Sequence, residues 1–210
     1  MTLYKGFFTK ERIRSFLVAL VLLALAVVFA FYASAYSERV SSNFVHDLLL
    51  DNLPIVSLNG VIIEGALAAI AGSIILLFTK PKYIIFSVKA AAIFIATRAV
   101  FIAVTHTGIY PGQINPGAGF FDGIYTGLGL EAGFFFSAHT GLTLLMALIF
   151  WDEKLWRYLY IALAVIFGVS VLLAHIHYTI DVLAAPYMTY AIFKLSQYLF
   201  AEDYKLIGSA

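Results

Sequence analysis

Polar residues are scarce along this chain and collect at the ends of apolar runs. Six such runs stand out, at about residues 15–36, 59–79, 83–105, 134–151, 156–175 and 178–200. Each is close to the ~20 residues that an α-helix needs to cross the hydrocarbon core of a bilayer. In lipid the backbone amides have only one another as partners, so runs of this length read as helices. The expected fold is all-α: a six-helix transmembrane bundle forming one integral membrane domain over residues 1–210. The first run ends near Ala33-Ser34-Ala35, which resembles a signal cleavage site. It is longer than the roughly 7–15 apolar residues of a signal-peptide core, so it reads as an uncleaved anchor.

The connections differ in character. Lys and Arg gather before the first run (Lys5, Lys10, Arg12, Arg14), between the second and third (Lys80, Lys82, with Lys89 just inside), between the fourth and fifth (Lys154, Arg157) and at the far end (Lys194, Lys205). The other side holds only Arg39. By the positive-inside rule this asymmetry puts both termini in the cytoplasm. Residues 37–57 are mixed and polar, with a short helix expected at 44–50. Residues 106–133 hold eight Gly and two Pro with no Lys or Arg, which reads as a long outward loop, either a lid or a connector.

Composition agrees: 62% of residues are hydrophobic and 12% charged. A soluble domain carries roughly twice that charge. A net charge of +1 argues against a nucleic-acid partner, and the absence of Cys removes disulfides, thiolate nucleophiles and Cys-based metal sites. Short loops and minimal termini suggest a bacterial inner-membrane protein with its site facing the periplasm.

Against this background two motifs stand out. One is Ser137-Ala138-His139-Thr140-Gly141; the other is His175-Ile176-His177-Tyr178-Thr179-Ile180-Asp181. The topology places His139, His175, His177 and Asp181 at similar depth near the outer surface. Ionisable groups are costly there, which favours a function for them. His177 and Asp181 are four apart, so on a helix they share one face. A carboxylate that accepts one imidazole N–H fixes the tautomer and leaves the other nitrogen able to attack. His139, from another helix, supplies a second imidazole for proton transfer. One His that attacks and one that moves a proton are enough to cleave a phosphate ester through a covalent intermediate, with no metal and no cofactor.

Other residues have two readings. Arg98 presents a fork suited to phosphate oxygens but is also placed to pair with Glu64, which is the better structural partner. His175 is either a phosphate contact or a cap for the sixth helix. Ser137 and Tyr178 are candidate substrate-binding residues, and Asp122 and Glu131 are loop carboxylates able to meet a cationic head group. A non-enzymatic alternative has His139 and His177 ligating haem or a divalent metal. A proton-coupled transporter using Glu64, Arg98 and Asp181 is disfavoured, because the polar groups occupy only one half of the bundle.

The motifs resemble those of sphingomyelin synthases, within the type 2 phosphatidic acid phosphatase superfamily. Ser137-Ala138-His139-Thr140 resembles Ser-Gly-His-Thr, and Ala174 to Val182 resembles Ala-His-Asp-His-Tyr-Thr-Val-Asp-Val. Arg98, Val104-Thr105 and Pro111-Gly112 are similar to a further family segment, and Asn59-Gly60 to the start of the second crossing. The resemblance implies that His177 is the nucleophile, that Asp181 orients it and that His139 protonates the leaving group and then activates the acceptor. It also implies a phospholipid donor and a lipid alcohol, or water, as acceptor. Several positions depart from the family: Ala138 replaces Gly, Ile176 replaces the Asp between the two His, and Glu131-Ala132-Gly133 stands where the family has Cys-Gly-Asp. Val171 replaces the Arg that precedes the nucleophilic His in phosphatases. Sphingomyelin synthases also lack that Arg, so the resemblance favours the transferase branch.

Overall fold

The computed structural model describes residues 9–114 and 135–208. Among these residues there is no strand, and seven α-helices follow in order: α1 (Lys10–Val40), α2 (Gly65–Thr79), α3 (Ile84–Val104), α4 (Ala138–Ile149), α5 (Lys154–Leu173), α6 (Thr179–Leu199) and α7 (Ala201–Gly208). A π-turn, Gly60–Glu64, leads into α2, and a 3-10 turn, Pro81–Tyr83, leads into α3. Among the described residues, four spans are long and apolar enough to cross a membrane: Lys10–Val40, Gly60–Thr79, Pro81–Val104 and Lys154–Leu173.

Local chemistry sets the boundaries. Thr9 caps α1 by accepting the Arg12 N–H, so this helix starts earlier than its apolar run. Ser137 caps α4 through the Thr140 N–H. The backbone of Phe135 and Phe136 has positive φ just before it, so α4 is only 12 residues long, shorter than the run at 134–151. The short helix expected at 44–50 is not formed. Residues 48–52 turn instead, with the Asp47 carboxylate accepting the N–H groups of Leu49 and Leu50. Asp side chains compete with helical bonding in this way.

The helices alternate in direction between two polar ends. α1 lies along α3, where Ala33 meets Ala99 and Ile102, and small residues at Ala19, Ala26 and Ala33 repeat along the buried stripe. In lipid such stripes let backbones approach closely. α4 packs on α5 and α6 around Phe94, Phe136, Leu145 and Phe150. Gly141 sits at the tightest crossing: a Cβ there would lie 2.5 Å from the Phe94 ring and 3.0 Å from the Thr189 hydroxyl.

The basic end is tied by ion pairs. Lys89 Nζ lies 2.6 Å from Asp203 Oδ2 and 2.7 Å from Ser15 Oγ, joining α3, α7 and α1. Ser15 Oγ in turn donates to Asp203 Oδ1, and Lys80 pairs with Glu153. Lys89 is 7% exposed, so removing its partner leaves a buried charge. Asp203→Ala is expected to destabilise the fold by about 3–5 kcal/mol, whereas Lys89→Met combined with Asp203→Leu recovers most of the loss. Thermal unfolding of the purified protein in one detergent checks both variants.

Candidate active site

The opposite end carries both motifs. α5 closes at Ala174, and the chain reverses through His175, whose φ of 55° lies in the left-handed region. The Ile176 N–H returns to the Val171 carbonyl at 2.9 Å and the His175 N–H to the Leu172 carbonyl at 3.0 Å. This is the Schellman pattern, with Ile176 packed on Val171 and His175 at the position that Gly usually fills. A side chain in the left-handed region costs about 1–2 kcal/mol.

The reversal delivers His177 to the start of α6. Its Nδ1 lies 3.2 Å from Asp181 Oδ2, and the same carboxylate oxygen accepts the Tyr178 N–H at 3.1 Å. His177 and Asp181 are buried, at 5% and 2% exposure. The second motif is joined to this pair through its backbone, because the Ser137 N–H donates to the Asp181 carbonyl at 2.9 Å. That bond fixes the start of α4 and places His139 opposite His177, with ring centroids 6.3 Å apart. Phe167 packs on the other side of His139, at 5.9 Å.

The remaining expected residues separate. Arg98 is buried, and its Nε donates to the Phe136 carbonyl at 3.2 Å, tying α3 to the strained entry of α4. Its charge also acts on His139. Glu64 does not pair with Arg98. Its side chain is exposed, with its carboxylate about where a Cβ on Gly60 would touch it. The cause is packing: α2 runs against α4 and its π-turn against α5, so Glu64 is not carried to α3. Tyr178 is among the residues that line an outer cleft, and its hydroxyl bonds to backbone groups. It donates to the Gly108 carbonyl at 2.8 Å and accepts the Val45 N–H at 3.3 Å, bracing two outer segments. Ser137 is fully buried in its capping role. His175 is not the helix cap: that position belongs to Tyr178, and both imidazole nitrogens of His175 are buried with no hydrogen-bond partner among the described residues. Asp122, Glu131 and most of the 106–133 loop lie outside the described residues. Among the described residues, no three His, Asp or Glu side chains converge as a metal ion would need.

Several contributors were not legible beforehand. Asp47, from the segment after α1, reaches α6: its carboxylate accepts the Thr179 N–H at 2.8 Å and the Thr179 hydroxyl. Negative charge at a helix N-terminus is favourable. Tyr110 donates to Asp51 and packs edge-on against His175 at 5.3 Å between ring centroids. The bond to Asp51 pushes the Tyr110 phenol up to about 12 and holds Asp51 below its ordinary value. The π-turn brings the Ile62 backbone to the His139 ring, where it forms a hydrogen bond. Gly108 lets the outer segments meet, since a Cβ there would fall 2.2 Å from the Ser42 carbonyl oxygen. An acidic residue before a turn was the available signal for Asp47. Its partner, 132 residues away, was not readable.

Burial alone would raise the Asp47 carboxyl, but the hydroxyl and N–H of Thr179 and the N–H groups of Leu50 and Leu49 outweigh it and lower it from 3.8. A lowered folded-state value stabilises the contact fully above pH 3.8, and the stabilisation disappears as pH falls through the lowered value. Proteolysis within residues 41–58 should therefore accelerate only on acidification below that range. Asp47→Asn should show the faster cleavage at neutral pH.

An open, mainly apolar cleft of about 660 Å³ lies beside these residues, lined by Leu48, Leu49, Thr105, Phe135, Ile180 and Asp181, among others. Asp47, Tyr178 and Thr179 also line it, whereas His139 and His177 do not.

The fold and site define a helical membrane protein with a His–Asp pair facing a second His at one end of the bundle. Residues 133–198 match the family model described as PAP2 superfamily C-terminal. The match supports membership of the type 2 phosphatidic acid phosphatase superfamily, and it spans both motifs. An uncharacterized protein of Methanocaldococcus jannaschii is 40% identical over 58 residues, covering 28% of this chain and 24% of that protein. The matched stretch thus spans about a quarter of the relative's length. No solved structure matches the chain.

Proposed function

We propose that this chain is an integral membrane enzyme that transfers a phospho-head group from a phospholipid to a lipid alcohol through a phospho-histidine, in the manner of sphingomyelin synthases. The reading takes the chain as one domain with six crossings, both termini cytoplasmic and the site at the outer face. The observation that carries it is the pairing of a carboxylate-held His177 with His139 across 6.3 Å. With Nδ1 of His177 facing Asp181, its Nε2 is the nitrogen left to attack phosphorus. Attack forms the N–P bond and breaks the P–O bond to the leaving alcohol, which takes a proton from His139. An acceptor alcohol then gives its proton to His139 and attacks phosphorus, and the N–P bond breaks to restore His177. Asp181 stabilises the cationic ring at each stage, and Arg98 offsets charge on the phosphoryl oxygens.

Hydrolysis is the second reading, favoured by the phosphatase superfamily match. Water then replaces the acceptor alcohol and the same three residues serve. Incubating purified protein with labelled phospholipids, with and without ceramide or diacylglycerol, separates the two. A new phospholipid that forms only with the acceptor supports transfer. Release of a soluble phosphate or phospho-alcohol regardless of acceptor supports hydrolysis. No product from any phospholipid would refute both.

A further inference from the structure

His175 occupies a backbone position that favours Gly, yet it carries an imidazole that is 2% exposed and has both nitrogens unpartnered among the described residues. Buried polar groups are rarely left so, and a strained residue holding one is a common mark of a ligand site. Two more orphaned atoms lie on segments joined to this same reversal. Gln113 Oε1 is buried without a partner among the described residues, and the next residue, Ile114, bonds through its N–H to the Ala174 carbonyl at 3.1 Å. Asn59 Oδ1 is likewise buried and unpartnered among the described residues, and its neighbour Leu58 packs against the cluster of Ile62, Val171, Ala174 and Ile176. Three chain segments that carry such uncharged hydrogen-bonding groups thus meet at the turn that leads, two residues later, to His177.

We propose that His175, Gln113 and Asn59 hold the hydroxyl-bearing part of a lipid head group, beyond the phosphorus that His177 attacks. The assignment rests on the phosphotransfer reading above. An imidazole offers one donor and one acceptor, and an amide offers both, so hydroxyls satisfy either orientation of these groups. A cationic head group fits poorly, because burying a charge requires a counter-charge. Asp47 and Asp51, carboxylates on the adjoining outer segment, are engaged by Thr179 and by Tyr110.

The test uses full-length protein in mixed micelles, with phosphatidylglycerol and phosphatidylinositol compared against phosphatidylcholine and phosphatidylethanolamine. The expected wild-type ratio of kcat/KM, hydroxylated over cationic, is at least ~10-fold, the worth of about one buried hydrogen bond. His175→Asn keeps a residue that tolerates the left-handed backbone, and Gln113→Leu leaves the reversal untouched. Each should bring the ratio toward unity, whatever happens to the absolute rate. Phospholipid turnover with a cationic preference, or a ratio unchanged in both variants, overturns the head-group assignment while leaving the phosphotransfer reading intact. Absence of turnover on all four lipids overturns both.

Discussion

In His177→Ala protein, turnover of every lipid substrate is expected to fall by at least about 10³-fold, with folding intact. The imidazole is buried beside Asp181, and no other described side chain is held by a carboxylate at that depth with a second His opposite. Losing the nucleophile removes the covalent route, so no positioning effect elsewhere compensates. The sharper form of this result is chemical. Wild-type protein quenched after brief exposure to lipid labelled with ³²P at the head group should carry an acid-labile, base-stable label on His177. The label should be absent from His177→Ala. Acid-stable labelling, or full turnover in the variant, would eliminate a phospho-histidine at this position. Asp203 and Lys89, at the opposite end of the bundle, provide a comparison in which stability changes without involving the site.

His139→Ala is expected to lose about 10²–10⁴-fold in kcat on natural phospholipids, the usual range for a positioned proton donor. The size of the loss should depend on the leaving group. An alkoxide needs a proton as it departs, whereas a p-nitrophenolate does not. On an aryl phosphodiester carrying the same head group, release of p-nitrophenol in the first turnover should therefore fall far less than on the lipid. A merely structural His139, packed between Phe167 and the Ile62 backbone, would affect both substrates equally. Equal losses would refute proton donation. A selective loss on the alkyl ester would fix the role, because only a group acting at the departing oxygen distinguishes the two.

Much of this architecture was readable before any coordinates. Apolar runs near twenty residues leave little choice but helices, and their ends agree closely with α3, α5 and α6, and with α2 once the π-turn that leads into it is included. The spacing of His177 and Asp181 implied that the two meet, although His177 lies two residues before α6 and reaches Asp181 from the turn and not from a shared helical face; the resemblance named the same three residues that the tertiary structure gathers. Other features depended on contacts between distant segments. Glu64 and Arg98 looked like a natural pair because each was a lone charge in an apolar run. Sequence carries no signal for the packing of α2 against α4, which keeps them apart. Tyr178 gave no sign in the sequence that its hydroxyl would brace two outer segments.

The order of polar and apolar residues determined that this chain is helical and rich in membrane-length segments, and it determined which few ionisable side chains lie near one end. Those properties follow from the local demand that backbone groups in lipid satisfy one another. The tertiary structure alone decided which of those side chains meet. His139 faces His177 because the Ser137 N–H finds the Asp181 carbonyl and because Gly141 lets α4 press against α3 and α6. His175 is buried because segments more than sixty residues away along the chain close over one turn. Such contacts arise from the mutual packing of helices, and no window of sequence contains both partners.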